Sequence, residues 1–122
     1  MRNRCLSLVL AAFLVLGISL SASAYTGSGL DLTGREWAHS SQSEKLAFLY
    51  GASSVVAIEQ LIAQQQGTPP SAFVRSWVKA FNDVNWLQLQ KLLDEWYAAH
   101  PGDADRQVFD VLWREYMLPA DK

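Results

Sequence analysis

Ser41 to Gly67 reads SQSEKLAFLYGASSVVAIEQLIAQQQG, and this stretch decides the fold class. Ser41-Gln42-Ser43-Glu44 has the form of a capping box. The Ser41 hydroxyl takes a backbone N–H at the start of a helix while Glu44 reaches back to the Ser41 amide. The helix it opens runs to about Gln66, where Gly67 and the Pro69-Pro70 pair stop it. Wound at the α-helical period, its apolar side chains occupy nearly the whole circumference. Leu46, Leu49, Tyr50, Val56 and Leu61 cover one side, and Phe48, Val55, Ile58 and Ile62 the other. A helix apolar all round is expected to be enclosed by its neighbours. Gly51, Ala52, Ser53, Ser54 and Ala57 are small enough to mark where another helix comes close.

Downstream the signals stay helical, and no segment alternates as a strand does. Thr68 with Pro69 reads as N-cap and first-turn proline of a second helix ending near Asn82-Asp83, with Phe73, Trp77, Ala80 and Phe81 as its apolar stripe. A third helix begins near Asn85 and carries Trp86, Leu89, Leu93, Trp96 and Tyr97 on one face; His100-Pro101-Gly102 ends it. Asp103 or Asp105 is expected to cap a fourth, with Val108, Val111, Leu112, Trp113 and Tyr116 inward and Pro119 at its end. Short connections favour antiparallel neighbours. The expected architecture is all-α: a compact four-helix domain over residues 41–119, built around the Ser43–Gln66 helix. Residues 25–40 form an irregular lead-in.

Upstream lies a different kind of segment. Arg2 and Arg4 precede an uncharged apolar run from Leu6 to Leu20, followed by Ala22-Ser23-Ala24, a small-x-small cleavage site. This is the layout of a secretory signal, residues 1–24. The run is shorter than the ~20 strongly apolar residues of a spanning helix and is broken by Gly17 and Ser19. Removing it takes away two of the ten basic residues. Eight remain against twelve acidic ones, a net charge of −4. These charges are scattered, which argues against nucleic acid or anionic lipid as partner and for a periplasmic or secreted product free of the membrane. Cys5 is the only cysteine and precedes the apolar run, so the mature chain has neither a disulfide nor a lipoprotein cysteine.

Few residues carry chemistry. Glu36-Trp37-Ala38-His39 has the E-x-x-H spacing of a metal-binding turn, but a di-metal bundle needs a second such motif and further glutamates. His100 has no matching partner, and no metal site or cofactor is expected. Gly51-Ala52-Ser53-Ser54 lacks the second glycine, the strand and the histidine of a serine-hydrolase elbow. Asp103-Ala104-Asp105 falls where a helix needs a cap. No catalytic residue is assigned, and the chain is expected not to be an enzyme. Glu59 and Glu115 interrupt apolar faces, so each should find a basic partner or reach solvent, or else supply a polar contact in a binding groove. Of five tryptophans, Trp37 lies outside the four helices and is expected at the surface or on a lid.

Three motifs carry a resemblance. They are Gly34-Arg35-Glu36-Trp37, then Lys45 to Gly51 (KLAFLYG), then Trp96-Tyr97-Ala98-Ala99-His100-Pro101 ahead of a last helix over Gln107 to Met117. Over residues 34–119 the chain resembles a loose group of small exported helical proteins, among them the Rap/Tai-type immunity proteins. Those neutralise amidase toxins delivered by bacterial type VI secretion. The resemblance implies a periplasmic protein-interaction domain, immunity-like, that inhibits a secreted toxin. It departs from the family in its thiols: Ser40 or Ser41 and Phe48 stand roughly where two cysteines would be. The chain also resembles, more distantly, the small periplasmic acid-stress chaperones of the HdeA type. That likeness implies the alternative of an envelope-stress or holdase-type chaperone.

Overall fold

The computed structural model describes residues 31–122. The expected signal sequence, 1–24, and the first part of the expected lead-in, 25–30, lie outside the described residues. Within them the chain is all-α, as its periodicity predicts, with five helices and no β-strand. Helix α1 spans Gly34–His39, α2 Gln42–Gln66, α3 Ala72–Phe81 and α4 Trp86–Ala99. Helix α5 covers 108–120 and is made of an α turn, Val108–Val111, a π segment, Leu112–Met117, and a final α turn, Leu118–Ala120.

The Ser41 capping box forms as its sequence requires. Ser41 Oγ accepts from the Glu44 amide at 3.3 Å, and the Glu44 carboxylate accepts from the Ser41 amide at 2.7 Å. Asn85 and Gln88 make the equivalent box on α4. A third box, Thr33 with Glu36, opens α1 inside the stretch expected to be irregular. Its Thr-x-x-Glu signature is as legible as the one at Ser41.

Two helix starts differ from expectation, each for a backbone reason. Helix α3 is capped by Ser71, not Thr68. Gly67 sits at φ 65°, and the amides of Gly67 and Thr68 donate to Gln64 O and Ala63 O. Thr68 is thereby consumed in the Schellman end of α2, and the prolines that follow hold the backbone out of a helix until Ser71. Helix α5 is capped by neither Asp103, which lies in a 3₁₀ turn, nor Asp105, which pairs with Arg35 at 2.5 Å. Its first amides are satisfied from the other end of the chain: Val108 N–H donates to Leu32 O at 2.7 Å and Phe109 N–H to the Asp31 carboxylate at 2.7 Å. Burial pushes the Asp31 carboxyl up from its usual value, and the two amides that donate to it partly offset this. Pro119 does not end α5, which continues through Ala120. The i→i−4 ladder is already interrupted by the π segment before the missing proline amide, and Leu118 N–H donates to Trp113 O instead.

The core is shared by α2, α3, α4 and α5, and α2 packs against both α3 and α4. Leu49 and Val56 of α2, Val74, Trp77 and Phe81 of α3, Leu89, Leu93 and Trp96 of α4, and Val108, Val111, Leu112 and Met117 of α5 form one buried cluster. The π winding lets Leu112 and Met117, five residues apart, both be fully buried. Phe73, Phe109 and Trp113 surround this cluster with ring contacts of 6.0 to 6.3 Å. Trp37 is buried too, 1% exposed, and is not a lid residue. Its helix is pressed onto the domain by backbone bonds from Gly34 to Arg106 and from Arg35 to Ala104.

Helix α2 is not enclosed. It contributes one narrow stripe to the core, Leu49, Val56 and Ala63, spaced seven apart, with Phe48 and Ala52 half-buried beside it. Fully burying a leucine or valine contributes roughly 1.5–3 kcal/mol, so this stripe is enough to hold the helix in place. Gly51 is not a crossing point. A Cβ built there meets nothing within 4 Å.

Candidate functional site

Two features stand out. The first is a polar node where α1, α2 and α4 meet. The Asp94 carboxylate accepts from Trp37 Nε1 at 2.8 Å, from Lys45 Nζ at 2.8 Å and from Gln90 Nε2 at 3.2 Å. Lys45 also lies 5.3 Å from the Trp37 ring centroid. Desolvation raises the Asp94 pKa, but these three donors and the Lys45 charge outweigh it and hold the carboxyl below its ordinary value. The node borders a cleft of about 430 Å³ that also takes in Tyr97, whose phenol burial drives well above its usual range. Every charged group in the node is matched, so its role is to lock α1 and α2 to α4.

The second feature is the outward face of α2. Tyr50, Val55, Ile58, Leu61 and Ile62 are 64, 67, 56, 47 and 44% exposed. Trp86, on the first turn of α4, extends the patch, its ring 6.2 Å from Tyr50. A shallow apolar pocket of about 350 Å³ lies at its border, lined by Gly51, Ala52, Val55, Val56, Glu59, Phe73 and Phe109. By length and composition α2 could cross a membrane, yet Lys45 and its buried stripe bind it to a packed domain.

Residues singled out from sequence fall mostly into structural roles. Glu36 serves the α1 capping box, and His39 Nδ1 is paired with Arg35 O at 2.7 Å. His100 stacks on Trp96 with ring centroids 4.3 Å apart. Among the described residues no group of three or more His, Cys, Asp or Glu is placed to hold a metal ion. Ser54 donates to Tyr50 O at 2.9 Å, and Ser53 Oγ is buried without a hydrogen-bond partner among the described residues. Glu115 finds a basic partner, Arg106, at 2.9 Å. Glu59 finds none among the described residues and accepts from the Ser71 amide at 3.1 Å, which supports the start of α3 at the pocket's edge.

The exposed α2 face is not legible in sequence, because an all-apolar circumference reads equally as enclosure or as one core stripe plus an open face. No family model, curated protein or solved structure matches the chain.

Proposed function

We propose that this is an exported, non-enzymatic protein-interaction domain that acts outside the cytoplasm and binds through the outward face of α2. The apolar face itself carries this function. Soluble proteins rarely leave a contiguous apolar patch of more than a few hundred Å² uncovered, and such patches mark interaction sites. The signal sequence supplies the compartment. A protein partner, such as the secreted toxin that the immunity-like resemblance implies, fits an apolar face without basic residues better than nucleic acid does.

A holdase-type chaperone is the second reading, favoured by the same breadth of open apolar surface. The two separate in one experiment. Tagged protein, expressed from the full chain and recovered after export, is compared with the Ile58→Glu/Leu61→Glu variant for what it retains from envelope extract. One stoichiometric companion, another protein or a second copy of this chain, lost in the variant, is the expected result. A mixture of unrelated proteins supports the holdase, and retention unchanged by the variant refutes the α2 face.

A further inference from the structure

We infer that the occupant of the α2 face is a second copy of this chain, held as an antiparallel, two-fold symmetric helix pair; this rests on the interaction-face reading above. Ala47, Gly51, Ser54, Ile58, Leu61 and Gln65 follow one another in alternating steps of four and three residues, the spacing of a coiled-coil seam. All six are exposed. They lie about half a turn round the helix from Leu49, Val56 and Ala63, so the seam points directly away from the core.

The sizes along the seam are graded, small at the N-terminal half and larger at the C-terminal half. Antiparallel pairing then matches every layer: Ala47 opposes the partner's Gln65, Gly51 its Leu61, and Ser54 its Ile58. Each contact is repeated by symmetry, as a two-fold interface requires. Parallel pairing would stack small on small, large on large, and Glu44 beside its own copy. In the antiparallel arrangement Glu44 meets the neutral Gln64–Thr68 end while Lys45 stays paired with Asp94 on the core side, so no like charges are opposed.

Area supports a full interface. Tyr50, Val55, Ile58, Leu61, Ile62 and Trp86 are 38 to 67% exposed. At about 100 Å² each they present roughly 600 Å², and the small seam residues bring this near the ~800 Å² per partner of a standard interface. A membrane surface is the less suitable occupant. Helices that lie in the lipid interface are rich in Lys and Arg, and between Lys45 and Arg75 this chain has no basic residue.

Sedimentation equilibrium on protein expressed from the full chain and recovered after export tests the pairing. The expected mass is twice that of the chain. Ile58→Lys/Leu61→Lys should give a monomer with an unchanged helical spectrum. Gly51→Leu, at a position where an added Cβ meets nothing within 4 Å, should keep the helical spectrum and weaken self-association at least about tenfold by crowding the partner's Leu61. In a Cys5→Ser background, Val55→Cys should cross-link to itself with a short bismaleimide and Arg114→Cys should not. A wild-type monomer at every concentration overturns the inference, as does a monomer that floats with phosphatidylcholine vesicles. If that monomer still holds a stoichiometric companion through Ile58, the interaction function stands without self-pairing. If it holds none, both fall.

Discussion

Gly34→Ala adds one carbon at a place with no room for it. The new Cβ would lie within 3.0 Å of the Tyr97 ring and 2.8 Å from the Ala104 carbonyl oxygen. Neither neighbour is free to move. The Tyr97 hydroxyl donates to Arg106 O at 2.9 Å, its ring meets Trp96 edge-on at 5.2 Å, and Ala104 O accepts from the Arg35 amide at 2.9 Å. Overpacking a fixed site typically costs ~1–3 kcal/mol, and a backbone carbonyl among the clashing atoms places this one at the upper end. Alanine's better helix propensity returns at most about 1 kcal/mol. The net loss should be about 2 kcal/mol. In urea, with a slope of about 1–2 kcal/mol per molar for a small domain, the midpoint should fall by about 1–2 M at unchanged slope. Gly51→Ala is the contrasting variant. It meets no atom within 4 Å and should raise stability by about 0.5–1 kcal/mol. Both are compared with wild type at one low protein concentration. Gly34→Ala as stable as wild type would show that α1 is not pressed against Tyr97, and with it the seating of Trp37 would be wrong.

Trp37→Phe removes the indole donor to Asp94 while keeping an aromatic ring in the core; at ~1–2 kcal/mol the melting temperature should drop by about 5–15 °C, and no drop would mean the bond contributes nothing. Asp94 is held below its ordinary pKa, so its stabilisation is fully present above the unfolded value of about 3.9 and is lost as pH falls through the lowered folded value. The stability difference between wild type and Asp94→Asn should therefore be constant near neutrality and shrink only in that acid window; a difference that grew on acidification would reverse the assignment. Mass spectrometry of exported protein should find an N-terminus at or within a few residues of Tyr25, whereas chain beginning at Met1 in the membrane fraction would contradict the signal.

Local rules carry much of the architecture. Ser41, Gly67 and Asn85 each bound a helix as their chemistry predicts, since a capping side chain or a left-handed glycine acts over three or four residues. The cap of α5 cannot be read this way, because Asp31 and Leu32 reach it from 76 to 78 residues away. Trp37 reads as a surface residue for a related reason. Its burial depends on Asp94, 57 residues on, and on backbone bonds to the 104–106 loop. The α2 face is hidden by excess: nine large apolar residues and one narrow core stripe leave periodicity no way to say which are covered. What does separate them is that the aromatic faces of α3 and α5 satisfy each other, with Trp77 6.2 Å from Phe109 and Phe73 6.0 Å from Trp113, and take only Phe48 from α2.

The central claim is that α2 presents a binding face, and photo-cross-linking from within it tests that most directly. A benzophenone side chain placed at Ile58, in full-length protein exported by living cells, should give one discrete adduct on irradiation. Sequencing the adduct should put the linked peptide in a single protein, at the Ser54 region if the partner is a second copy. The same group at Lys91, whose side chain is 75% exposed on the far side of α4 from the core, should give none. Equal labelling from both positions, or none from Ile58, would contradict the claim.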